Sequence, residues 1–367
     1  MEITRHLLNQ ACMHAPESDL CRWRVRMEES MNKLRKIFAC LFLVLCAVSV
    51  TACGKDSPKK QKSDKAASDA PKLITVGYVQ SGTGAAWSLA NVESIQQSCT
   101  EENGINLIYQ NAEGDFDKQI EIVRSYIEQK VDVISFTPIV SEGWEDVLKE
   151  AKDAGIPVIV MDRMVETEDD TLYNCWIGSN FLLEGYKAAD WLIEYMKSLK
   201  LDKKEYKVAL FQGTIGASAE TGRTQGVEEM LNAEGNYKFV YKDTGDFSHD
   251  GGVENMEKVL KQNLDIDILI AENDDMALGA IEVMEKNGIK PGKDIVIVSF
   301  DGINAAFQAM IEGKINCDME CNPLTGKLLA NAVKTVMNGD PISKRNYVQE
   351  ELFPADTAAD YIDNRKY

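Results

Sequence analysis

Two rhythms of apolar residues alternate along this chain. Short β-rich runs at 73–80, 105–111, 131–137, 156–162 and 174–179, and again at 207–212, 238–242, 266–272, 294–300 and 315–320, read as strands. Between them stand stretches such as 142–154, 182–199 and 276–287, with apolar residues three and four positions apart, which read as helices. The run Ile156-Pro157-Val158-Ile159-Val160-Met161 has no polar position to turn toward water, so it belongs in a parallel sheet covered on both faces. The alternation predicts an α/β fold, doubly wound.

The two halves echo each other. Val76 to Ala85 matches Val208 to Ala217 at an offset of 132, Val131 to Ile134 matches Ile266 to Leu269 at 135, and strand-terminal Asp162 matches Asp301 at 139. A slowly drifting offset over this distance means two homologous lobes with small insertions, not a short-period solenoid.

The opening of the chain carries a different pattern. Lys33, Arg35 and Lys36 form a basic head, residues 37–50 are an uncharged run of 14, and Val50-Thr51-Ala52-Cys53-Gly54 follows. A spanning helix needs roughly 20 apolar residues, so this run is a secretory signal segment, 31–52. Small residues directly before a cysteine look like a bacterial lipobox, in which Cys53 is lipidated and becomes the mature N-terminus; an ordinary signal peptide with an incidental cysteine is the competing reading. Residues 1–30 are expected to be an upstream extension with Met31 the true start, and the polar stretch through 71, rich in Lys, Ser, Asp and Ala, a flexible tether.

Charge and cysteine usage narrow the partners. The 367 residues hold 40 Lys plus Arg against 59 Asp plus Glu, a net of −19. Taking away residues 1–52 removes 7 basic and 5 acidic residues and leaves 33 against 54, or −21. Such a surface argues against nucleic acid and against adsorption to anionic lipid. Beyond the signal only Cys99, Cys175, Cys317 and Cys321 remain, without a CxxC pair and with His249 the one histidine, so neither a metal site nor a cofactor is expected. The four thiols are expected to be free and buried.

In open α/β sheets ligands bind beyond the carboxyl ends of the strands. Those ends are 81–87, 137–144, Asp162-Arg163, Ser179-Asn180, 213–223, Asp246-Phe247, Asn273-Asp274, Asp301 and Glu320, a set rich in Asp, Asn, Arg and aromatics. Planar carboxylate, amide and guanidinium groups make paired hydrogen bonds to vicinal hydroxyls, and aromatic faces cover the C–H side of a sugar ring. The set therefore points to a polyhydroxylated ligand.

With the lipobox, these strand ends resemble the periplasmic sugar-binding proteins of bacterial ABC transporters, the ribose and galactofuranose branch that shares its fold with the lactose-repressor family. The resemblance covers about 72–357 and is carried by Gly143 to Lys152, Gln212 to Ser218, Asn273 to Ala280 and Lys290 to Ile295. It implies the type I periplasmic binding fold: a first lobe of 72–178 plus 322–342, a second of 179–321 plus 343–367, and hinges near Ser179-Asn180, Cys321-Asn322-Pro323 and 343–349. Position by position, Asp162 and Arg163 look like the pair that clamps sugar hydroxyls from the first lobe. Arg223, Asn273 and Asp301 match the second lobe's hydroxyl-binding set, with Asn180 and Asp246 beside them. Trp87 and Phe247 would supply stacking faces, although Phe247, like Trp144, could equally be packing. Glu320 occupies a hinge position that is Gln in ribose binders. Ser88 and Ser179 stand where relatives carry Arg and Asp, which puts the identity of the sugar in doubt.

The resemblance implies a monomer that captures a monosaccharide on the extracytoplasmic face of the cell membrane, anchored by lipid, and delivers it to an ABC permease. A subunit presenting the same sugar to a receptor kinase uses the same closure and stays open as the alternative. An enzyme is disfavoured: Gly82-Thr83-Gly84 is followed by Trp87 where a GxGxxG needs glycine, no GxxxxGK[ST] exists, and His249 lies near a loop without an obvious Ser or Cys partner for a triad. A repressor would need a helix-turn-helix before residue 72, where signal and tether stand.

Overall fold

A computed structural model describes residues 72–201 and 203–367. The expectations for the extension, the signal segment, Cys53 and the tether lie outside the described residues. The folded unit opens with β1 (Ile74–Gln80), α1 (Ala86–Ser98), β2 (Ile105–Asn111), α2 (Phe116–Gln129), β3 (Val133–Phe136), α3 (Glu145–Asp153), β4 (Val158–Met161) and β5 (Cys175–Gly178). A second series follows: α4 (Phe181–Ser198), β6 (Tyr206–Gln212), α5 (Ser218–Glu234), β7 (Tyr237–Thr244), α6 (His249–Lys261), β8 (Ile268–Ala271), α7 (Asp274–Lys286), β9 (Val296–Asp301), α8 (Asn304–Ile311) and β10 (Cys317–Glu320). The chain ends with α9 (Gly326–Met337), β11 (Arg345–Tyr347), β12 (Leu352–Pro354) and the short α10 (Ala358–Tyr361).

The strands form two sheets of order β11-β5-β4-β3-β1-β2 and β12-β10-β9-β8-β6-β7. Apart from the added β11 and β12 the orders are the same, so the sequence repeat is a repeat of topology. Each pairing is parallel except β12, which runs antiparallel to β10. Every residue of β3, β4, β8 and β9 is buried, as expected of strands covered on both faces.

Four apolar layers do the covering. In the first lobe, Tyr126, Val147 and Leu148 of α2 and α3 pack under one face and Ile95, Leu329 and Val333 of α1 and α9 under the other. In the second, Met256, Ala280 and Phe307 of α6, α7 and α8 cover one face and Leu192, Val227 and Leu231 of α4 and α5 the other. Glycines allow the tight contacts. A Cβ on Gly326 at the start of α9 would meet Ser94 O of α1 at 2.0 Å, and one on Gly226 of α5 would meet Leu182 O of α4 at 2.6 Å.

The chain passes between lobes three times, after β5, after β10 and after β11. Arg345–Tyr347 pairs in parallel with Trp176 to Gly178, so 343–347 belongs to the first lobe, not to the second as expected from the sequence. The third passage lies at 348–351. A three-residue edge strand with partly exposed side chains has too little apolar pattern to be read in advance. Trp144 is core: it is fully buried and stacks on Phe136 at 4.2 Å. Cys99, Cys175, Cys317 and Cys321 are free and buried.

Candidate functional site

The lobes touch along their facing rims. Ser141 N donates to Gly216 O at 2.9 Å, Met164 N to Ser218 Oγ at 2.8 Å, and Ala86 N to Asp275 Oδ2 at 3.1 Å. Each bond joins a first-lobe loop to the second lobe away from the three passages, so the structure is a closed one. Between the lobes lies a cavity of about 500 Å³, inside the range of small-molecule sites.

Its walls come from the strand ends. The first lobe contributes Gly82 and Thr83 of the β1–α1 loop, Trp87 and Ser88 of the first turn of α1, and also Asn111, Asp162 and Arg163. The second contributes Thr214, Arg223, Asp246, Phe247, Asn273 and Asp301, and Phe181 and Cys321 stand where the chain crosses over. Asp162 directly follows β4 with φ +59°, and its counterpart Asp301 ends β9 with φ +109°. Asp246 and Phe247 also have positive φ. Non-glycine residues held there cost about 1–3 kcal/mol each, and here each such turn brings a polar or aromatic group to the cavity wall.

Asp162 and Arg163 face each other at 3.9 Å. Burial pushes the Asp162 carboxyl up to about 6, against the pull of Arg163 and Arg223. Arg163 donates to Ile139 O at 3.0 Å and lies 5.1 Å from the ring centre of Phe247 across the cleft, a distance at which guanidinium and aromatic face attract. Phe247 is held in place from two sides. A Cβ on Gly213 would lie 1.9 Å from its ring, and Asn273 Nδ2 donates to its carbonyl at 3.0 Å. Asn273 also caps α7 through Met276 N.

Arg223 is 2% exposed and bonded through all three of its nitrogens. Its Nε donates to Glu184 at 2.8 Å, its Nη2 to Asp301 at 3.1 Å, and its Nη1 to Glu272 O. Phe181 and Phe300 lie 5.4 and 5.0 Å from its guanidinium carbon. Behind it, Glu272 accepts from Thr224 Oγ1 at 2.5 Å and Gly213 N at 2.8 Å, and burial pushes its carboxyl up to about 8 against those bonds. The apolar part of the cavity is a cluster of Trp87, Phe181, Ala219 and Cys321 with Phe247 packed on it.

Two expected residues stand elsewhere. Asn180 spends its side-chain oxygen capping α4 at Leu183 N, and neither it nor Glu320 lines the cavity. Glu320 is turned to the carboxyl end of the chain, where it pairs with Arg365 at 2.5 Å and accepts from Glu351 N at 3.1 Å. It does lie at a hinge, since Glu320 N also donates to Glu351 O across two passages. Phe181 and Cys321 line the cavity and are not among the expected residues. Phe181 stands three residues after the end of β5 and Cys321 directly after β10, so position behind a strand end is the signal that could have found them. Asn111, the last residue of β2, carries a related one.

These features define a two-lobed protein of the type I periplasmic binding architecture, and the chain belongs to the periplasmic binding protein domain family, whose profile matches residues 76–341. The chain is 35% identical over 297 residues to the galactofuranose-binding protein YtfQ of Escherichia coli, covering 80% of this chain and 92% of that one. Among solved structures it resembles a Mycobacterium smegmatis protein in complex with β-D-fucofuranose, at 41% identity and TM-score 0.77 over 80% of this chain and 96% of that one. It also resembles the periplasmic binding component of an arabinose ABC transporter from Shewanella sp. ANA-3 bound to L-arabinofuranose, at 36% identity and TM-score 0.75 over 80% and 95%. The family consists of solute-binding proteins, not enzymes.

Proposed function

We propose that this chain captures a monosaccharide between its lobes and hands it to an ABC importer from the extracytoplasmic face of the cell membrane, where a lipid on Cys53 anchors it. The observation that carries the ligand class is the cavity wall. Asp162 and Arg163 from one lobe oppose Arg223, Asp246, Asn273 and Asp301 from the other, with Trp87, Phe181 and Phe247 as apolar faces. Charged groups of both signs in a closed space suit a neutral ligand with many hydroxyls, each able to donate to a carboxylate and accept from a guanidinium. A charged ligand would leave one set unmatched.

Of the relatives at 35–41% identity, one is named for binding galactofuranose and two have structures with fucofuranose or arabinofuranose bound, so sugars that populate a five-membered ring are the first to try. The test is a thermal-shift screen of pentoses and hexoses, including L-arabinose, D-fucose, D-galactose and D-ribose. A ligand at 100 times its dissociation constant adds about 2.7 kcal/mol of stability. Failure of every sugar, with a shift from a charged solute, would refute the ligand class.

A further inference from the structure

The three passages between the lobes meet at one side chain. Glu350, on the third, accepts from Ser179 Oγ on the first at 2.5 Å and from Asn322 N on the second at 3.0 Å. Beside it lies Glu184 of α4, which is 1% exposed. One carboxyl oxygen each of Glu184 and Glu350 and the Cys321 Sγ lie within 4.8 Å of one another. Glu184 Oε2 is taken by Arg223 Nε, and Glu184 Oε1, fully buried, has no hydrogen-bond donor among the described residues. Two ionised carboxylates side by side, one buried and one half-buried, repel each other, and a buried oxygen without a hydrogen-bond partner is costly. One proton between the two carboxyl groups removes both penalties. It supplies the donor that Glu184 Oε1 lacks and leaves Glu350 free to accept from Ser179 and Asn322.

We propose that Glu350 is a positioning residue for ligand binding: as a neutral carboxylic acid it fastens the three passages in the closed arrangement and, by donating to Glu184, holds the salt bridge that fixes Arg223 in the cavity wall. The inference rests on the sugar-binding reading above. Burial, then the charge of Glu184, holds the Glu350 carboxyl well above its ordinary range. The groups that face it give no cation strong enough to reverse this. Lys187 of α4 donates to the Glu350 backbone carbonyl at 3.2 Å, while its own charge is disfavoured by burial. Cys321 is a thiol that burial and the charge of Glu184 hold neutral. Arg223 of α5 is committed to Glu184 and Asp301, Asp162 of β4 adds negative charge near the thiol, and Glu320 and Glu351 add it near Lys187. Deprotonation therefore places a second charge against Glu184 and loosens the junction. Apparent affinity falls with the closed population it supports.

The test compares the purified full-length protein with E350Q, E350A and S179A by calorimetry against L-arabinose and D-galactose at pH 6 and pH 9. Gln keeps an acceptor for Ser179 and Asn322 and donates an amide N–H to Glu184, so E350Q should bind within about twofold of the wild type at pH 6. It should also lose less affinity than the wild type on going to pH 9. E350A should bind about tenfold more weakly or worse at both, from the unpaired Glu184 and Ser179, and S179A should fall between. A folded E350A with wild-type affinity, or an E350Q that keeps the whole alkaline loss, overturns the proposal. If the wild type binds neither sugar, these two are not its ligands, and the ligand-free proteins still decide the proton: the wild type must lose thermal stability relative to E350Q between pH 6 and pH 9. Stabilisation by added Zn²⁺ that C321S abolishes would make the cluster a cation site and also overturn the proposal.

Discussion

Trp87 donates its indole N–H to the backbone carbonyl of Cys321 at 2.7 Å, so an aromatic wall of the cavity is bolted to the second passage between the lobes. Asn91, one turn further along α1, adds bonds to Pro323 O at 2.9 Å and Thr325 Oγ1 at 3.0 Å. A ligand that packs on Trp87 thus acts on the same segment that must move when the lobes open. Replacing Trp87 by Phe keeps an aromatic face and deletes the bond to Cys321. Affinity for the cognate sugar should drop by about 1 kcal/mol for Phe and by about 3 kcal/mol for Ala, measured by calorimetry. Equal losses for both would mean that the ring face contributes nothing.

Arg163 and Arg223 should respond differently to truncation. Arg163 makes one backbone hydrogen bond and a long contact with Asp162, so R163A should fold with a nearly unchanged melting temperature and lose about 2–4 kcal/mol of binding. Arg223 neutralises Glu184 and Asp301 in a dry environment. R223A strands both carboxylates and should destabilise the ligand-free fold by about 3–5 kcal/mol. An arginine in an open, solvated cleft could be truncated without harm to folding; the burial of Arg223 removes that tolerance at one of the two positions. Denaturant unfolding of the two variants separates the roles.

The acids raised by burial set the direction of pH dependence. Asp162 is pushed up to about 6 and Glu272 to about 8, each above its value in an unfolded chain. A folded state that binds a proton more tightly than the unfolded chain is relatively most stable at low pH, and it loses that advantage as pH climbs through the folded-state value. Stability of the ligand-free protein should therefore fall between about pH 5 and pH 8.5. A rising profile over that window in urea titrations would contradict it. Sugar binding by Asp162 should run the other way, tightening from pH 5 to pH 7 as its carboxylate ionises and accepts hydroxyl protons, and D162N should remove that tightening.

Lipid anchoring predicts that C53A partitions into the aqueous phase of a detergent separation while sugar affinity stays within about twofold of the wild type, since the residue precedes the folded unit. Retention of C53A with the membranes would rule out the anchor.

Closure predicts compaction. The lobes meet through the bonds Ser141–Gly216, Met164–Ser218 and Ala86–Asp275 and through the small apolar cluster around Trp87 and Phe247, so opening can leave the sheet and helix packing of each lobe intact. Small-angle scattering should show a larger radius of gyration without sugar than with it. An unchanged radius at saturation would exclude a moving hinge.

The two lobes, their strands and most of the cavity wall were legible because the relevant strands are continuous apolar runs ending in charged or aromatic residues. Asp162, Arg163, Asp246, Phe247, Asn273 and Asp301 all stand at or just behind the carboxyl end of a strand, where the alternation alone locates them. Phe247 was harder, since nothing local distinguishes a stacking ring from a packing one; Gly213, which leaves room for the ring, lies 34 positions away. Asn180 and Glu320 went astray for the opposite reason: both stand at strand ends, but a helix cap and the distant Arg365 claim their side chains. The junction at Glu350 was beyond reach. It depends on Ser179 and Asn322, separated from it by 171 and 28 positions, and no periodicity encodes a meeting of three connectors.

The edge strand β11 bears on how such a chain comes into being. Its residues 345–347 complete the sheet that began at residue 74, and α9 at 326–337 closes one face of the same sheet. Synthesis and export both proceed from the amino end, so the half that emerges first is the half that is finished last. For most of its passage through a pore the leading segment lacks a border strand and the helix that shields Ile95 and Val76. It stays threadable until almost the whole polypeptide has appeared on the far side.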